Sequence, residues 1–97
     1  MLFAMIARDK PGSVERRLAV RPKHLQHLDS LGQQLRLAGA LLDADGNPEG
    51  SLVVVEADTL AAATELLNAD PFVAEGIFAT VDIKPWRLAY DHMSPEV

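Results

Sequence analysis

The sequence contains no cysteine, which excludes disulfides, thiolate nucleophiles and cysteine-ligated zinc. A basic surplus is also missing. Nine Lys and Arg stand against fourteen Asp and Glu, for a formal net charge of −5. Phosphate contacts need a positive field, so no nucleic-acid partner is expected. No apolar run approaches the roughly 20 residues of a membrane-spanning helix. The stretch Met1–Arg8 is apolar but lacks the basic flank and the length of a signal peptide. These absences predict a cytoplasmic protein with no membrane partner. Phosphate-binding glycine loops, nucleophile elbows and metal-ligand motifs are absent as well, as are internal repeats and low-complexity segments.

What remains is a chain of 97 residues, 48% of them hydrophobic, enough for one domain over residues 1–97 and too little for two. The run Leu2–Arg8, closed by Asp9-Lys10-Pro11-Gly12, reads as a strand that is apolar on both faces. Ser13 suits the cap of a short helix over Val14–Leu18. Pro22 is read as interrupting that helix and opening a longer one. In the longer helix His24, Leu28, Leu31 and Leu35 share one apolar stripe, with His27 near its edge. Gly39 is its expected stop, followed by a short strand, Ala40–Leu42. The cluster Asp43–Gly50 predicts a hairpin loop with Asp45-Gly46 at its tip. Ser51–Glu56 is the most β-prone stretch. Asp58 is the expected cap of a helix over Thr59–Ala69, which Asp70-Pro71 ends. A last strand, Ile77–Pro85, alternates, and residues 88–97 form a C-terminal tail.

The order β-α-β-β-α-β is the split βαβ of the ferredoxin-like, α+β arrangement, with two helices on one face of a four-stranded antiparallel sheet. Strict alternation places Phe3, Met5, one row of the Ser51–Glu56 strand, Phe78 and Trp86 on the other, uncovered face. A large apolar patch marks an interface. The expected solution is a homodimer joined through the open sheet faces, a dimeric α/β-barrel.

Two residues stand out as candidates for chemistry. A histidine on an apolar helix face must find a partner for its ring nitrogens; His24 is either a structural histidine bonded to a backbone carbonyl or a general acid–base. Asp70 either ends a helix before Pro71 or orients an imidazole. The cluster Arg16, Arg17, Arg21 and Lys23 reads as a solvated helix flank that could guide a small anion. His24, His27 and His92 do not form a convincing metal set.

Taken together, Arg21-Pro22-x-His24-Leu25-x-His27-Leu28, Gly50-Ser51-Leu52, Asp70-Pro71-Phe72 with Gly76, and Pro85-Trp86-Arg87 resemble the YciI-like family over nearly the whole chain. The resemblance implies a ferredoxin-like α/β-barrel dimer in which His24 and Asp70 are the proposed catalytic pair. It also implies acid–base chemistry of a lyase, isomerase or hydrolase type on a small molecule, without an organic cofactor. Arg8, Ser51, Phe72 and Arg87 are the candidates for substrate contact. The alternative is a non-catalytic, dimeric ligand-binding or accessory domain, which a solvent-sealed His24 bonded only to backbone would favour.

Overall fold

The computed structural model describes residues 1–93. Strand β1 (Leu2–Asp9) leads to helix α1 (Val14–Ser30), a single 3₁₀ turn (Gly32–Gln34), and strands β2 (Leu35–Leu42) and β3 (Pro48–Glu56). Helix α2 (Leu60–Asn68), the one-turn helix α3 (Pro71–Ala74) and strand β4 (Phe78–Trp86) follow. The four strands form one antiparallel sheet in the order β2-β3-β1-β4. This is the expected ferredoxin-like topology, with α1 and α2 on the same face.

Pro22 does not divide α1, which runs unbroken through it. A mid-helix proline costs about 3 kcal/mol because it removes one backbone bond and crowds the preceding turn. Here that turn is at Leu18, and both Leu18 and Pro22 are exposed, so solvent reaches the carbonyl left over. Arg17 on one side and His24 and Leu28 on the other are buried, and this anchoring on both sides of Pro22 offsets the loss. The helix stops at Ser30 rather than near Gly39. Gly32 has φ 58°, the left-handed conformation that ends helices and that glycine adopts without a Cβ clash. Gly39 instead lies within β2.

The hairpin between β2 and β3 forms where expected, but its loop is shorter: β3 begins at Pro48 rather than Ser51, and β2 begins at Leu35, which was expected in the helix. Asp43 Oδ1 accepts from the N–H groups of Asp45 and Asn47 at 2.9 and 3.0 Å, and Gly46 sits at the tip with φ 83°. Helix α2 is capped by Thr59, not Asp58: the Thr59 hydroxyl accepts from the Ala62 N–H at 3.1 Å.

The two faces of the sheet are assigned differently from strict alternation. Phe3, Met5 and Ala7 are buried beneath the helices, beside Val55, Val53 and Ser51 of β3. The uncovered face instead carries Leu2, Ala4 and Ile6, with Leu52, Val54 and Trp86 beside them. Phe78 also belongs to the core. For Phe78 the cause is a bulge: Arg8 pairs with Thr80 while Asp9 pairs with Phe78, so Ala79 has no counterpart. One extra residue inverts the alternation of a strand. Phe78 therefore turns under the helices, while Trp86 stays on the open face as expected. Residues 88–93 are neither helix nor strand, and some of them share a hollow with Leu2, Leu37, Val54 and Trp86 on that face. The rest of the tail expected over 88–97 lies outside the described residues.

Candidate active site

The Asp-Pro-Phe sequence builds the first half of the site. Asp70 caps α3: its Oδ1 accepts from the Phe72 N–H at 2.9 Å. Pro71 at the first helical position has no N–H to satisfy and is preset for the helix. This local structure points the Asp70 carboxylate at α1, where His24 Nδ1 lies 2.9 Å from Oδ1 and 2.8 Å from Oδ2. Both side chains are buried, with Asp70 2% and His24 7% exposed. A carboxylate can only accept, so Nδ1 carries the proton, and in the neutral ring Nε2 has the lone pair. The imidazole stacks on Phe72, with ring centroids 4.1 Å apart and planes 17° apart. Phe72 is fixed in turn by the edge of Phe78, at 5.8 Å.

The second half is an ion pair that sequence reasoning missed. Arg17, read as part of a solvated flank, is 4% exposed. It donates from one nitrogen to both Asp9 oxygens at 2.8 and 3.0 Å, and from the other to the Ser51 hydroxyl at 2.7 Å. Its guanidinium carbon lies 4.4 Å from the centre of the Phe72 ring, a cation–π contact. Burial raises the pKa of Asp9 above its ordinary 3.8, outweighing the charge and hydrogen bonds of Arg17. The signal for Arg17 was its spacing. Arg17, Arg21, His24 and Leu28 follow one face of a helix, which becomes visible only if α1 is continuous through Pro22.

A cavity of about 270 Å³ lies against these groups, lined by residues that include Arg17, Arg21, His24, Leu28 and Phe72. Its sheet side is formed by the small residues Ala38, Gly39 and Ala40 of β2, with Leu42 and Pro48 towards the hairpin. With Nδ1 held by Asp70, Nε2 is the nitrogen that His24 has left for this cavity. His27 serves otherwise: its Nε2 lies 3.0 Å from the Leu66 carbonyl, tying α1 to α2.

His24, Asp70, Phe72 and Ser51 are thus brought together, Ser51 through Arg17 rather than on the cavity wall. Arg8 and Arg87 are not part of this constellation. Arg8 is exposed beside a separate polar hollow at the β1–α1 turn, and Arg87 lies with Met1, Leu2 and Trp86 near the start of β1.

Comparison with known proteins gives the same frame. The chain is 39% identical over 98 residues to protein YciI of Escherichia coli O6:H1, covering 93% of this chain and all of that one. An uncharacterized Haemophilus influenzae protein is 35% identical over 99 residues, again covering 93% of this chain and all of its own length. Among solved structures, the chain resembles 5-chloro-2-hydroxyhydroquinone dehydrochlorinase from Burkholderia phenoliruptrix AC1100, in complex with 2,5-dihydroxybenzoquinone. The TM-score is 0.84 and the identity 29%, covering 92% of this chain and 96% of that one. Residues 1–87 match the model of the YCII-related domain, and the chain belongs to that family.

Proposed function

We propose that the protein is a cofactor-free acid–base catalyst acting on a small hydroxylated ring, with His24 moving the proton and Asp70 fixing its tautomer. The observation that carries this reading is the Nδ1–carboxylate contact of 2.8 Å in the wall of a cavity. An imidazole so held offers Nε2 as a base without reorganising. A non-catalytic domain would call for a sealed His24 bonded only to backbone carbonyls; His24 bonds a carboxylate and borders open space instead.

The similarity to a dehydrochlorinase supports an elimination as the reaction class. In such an elimination Nε2 takes a proton from the substrate, a halide leaves with its bonding pair, and the sum is loss of one hydrogen halide. No external oxidant or reductant is needed. The leucines along α1 and the small side chains of β2 suit a flat ring. A homodimer through the open sheet face is part of the proposal, supported by the apolar row Leu2, Ala4, Ile6, Leu52 and Trp86.

The test is chloride release from 5-chloro-2-hydroxyhydroquinone by wild type and His24→Ala. Wild type should release chloride well above the uncatalysed rate. The variant should lose about 10²–10⁴-fold while still folding, with a lower melting temperature because the buried Asp70 loses its partner. A wild-type rate equal to the buffer rate, or a folded His24→Ala protein as active as wild type, refutes the proposal.

A further inference from the structure

The charges around the cavity do not cancel, and the uncancelled one belongs to Arg21. Arg17 is neutralised by Asp9 and also spends a nitrogen on Ser51. His24 is held by Asp70. Arg21 is exposed, borders the same cavity and makes no hydrogen bond or ion pair with another described residue. No Asp or Glu lines that cavity. Arg21 lies four residues after Arg17 and three before His24, a spacing that sets all three on one helical face.

We infer that Arg21 is a specificity-determining residue that recognises an oxyanion, carboxylate or phenolate, on a ring seated in this cavity. This rests on the acid–base reading for what happens next, but not for binding. The guanidinium fork matches a delocalised oxyanion in geometry as well as charge. An apolar wall strengthens the pairing relative to open water. The volume is also suitable. A cavity of roughly 150 Å³ holds benzene, so about 270 Å³ leaves room for one ring with substituents.

The experiment measures dissociation constants by ligand-observed NMR for two matched pairs: benzoate with benzamide, and 4-nitrophenolate with 4-nitroanisole at pH 8. At least one oxyanion should bind tenfold or more tightly than its neutral partner, and the pair that shows the preference identifies the oxyanion. Arg21→Gln should abolish the preference and Arg21→Lys should keep part of it. His24→Ala, which removes the proposed base, should leave it intact. Loss of turnover alongside a retained preference for the oxyanion therefore separates the two readings. Equal binding within both pairs, no binding of either oxyanion, a preference that survives Arg21→Gln, or one lost in His24→Ala would overturn the assignment.

Discussion

Replacing Asp70 by Asn tests the site without requiring its substrate. The asparagine carbonyl can still accept from the Phe72 N–H, so the cap on α3 survives. Its amide nitrogen, however, is a donor where the carboxylate was an acceptor. To bond it, His24 Nδ1 must give up its proton, and the proton moves to Nε2. The imidazole then presents an N–H to the cavity in place of a lone pair and no longer acts as a base. The cost in stability is that of exchanging a charge-assisted hydrogen bond, about 1.5–3 kcal/mol, for a neutral one of about 1 kcal/mol. The net loss of about 0.5–2 kcal/mol lowers the melting temperature of a domain this size by roughly 2–15 °C. Two-dimensional ¹⁵N–¹H spectra of the His24 ring distinguish the tautomers directly. The reasoning is refuted if wild type carries the Nε2–H form, or if folded Asp70→Asn keeps the Nδ1–H form.

Two further outcomes are expected. Because burial raises Asp9 above 3.8, its contribution to stability is complete below the unfolded value and is lost as pH rises through the folded one. Urea denaturation of wild type and Asp9→Asn should therefore show the difference shifting against wild type as pH rises from 3 towards 7; a shift in its favour contradicts the assignment. Ile6 is 46% exposed on the open sheet face, so Ile6→Lys should leave the fold intact and yield monomers in sedimentation velocity, whereas wild type sediments as a dimer. A wild-type monomer, or a dimer that tolerates the lysine, counts against that interface.

The order of elements was legible, and so were His24 and Asp70 taken singly, because these rest on local signals; that the two side chains meet was not, and only the family resemblance implied it. Asp-Pro-Phe is a cap with a preset turn, and His24 lies in an apolar stripe whose phase is correct from Pro22 onward. Two other features were hidden for reasons that are also local. Treating Pro22 as a break discarded the phase that joins Arg17 and Arg21 to His24, since the propensity penalty is visible in sequence and the buried anchors that offset it are not. The β4 bulge likewise leaves no glycine or proline as a marker. It shows only in the pairing with β1, and strict alternation therefore put Phe78 on the wrong face. Phe3 and Met5 were misplaced for a different reason: a strand apolar on both sides does not reveal which side the helices cover.

The small side chains of β2 separate two properties that evolution can then change independently. Ala38, Gly39 and Ala40 border the cavity but lie on a strand that carries neither His24 nor Asp70. Adding bulk there would reshape the space offered to a ligand while the His24–Asp70 pair stays on α1 and at α3. A lineage with this scaffold can drift from one ring compound to another by substitutions in an edge strand, where neighbours on one side only must adjust. The chemistry would be inherited, and the choice of substrate would be the part free to vary.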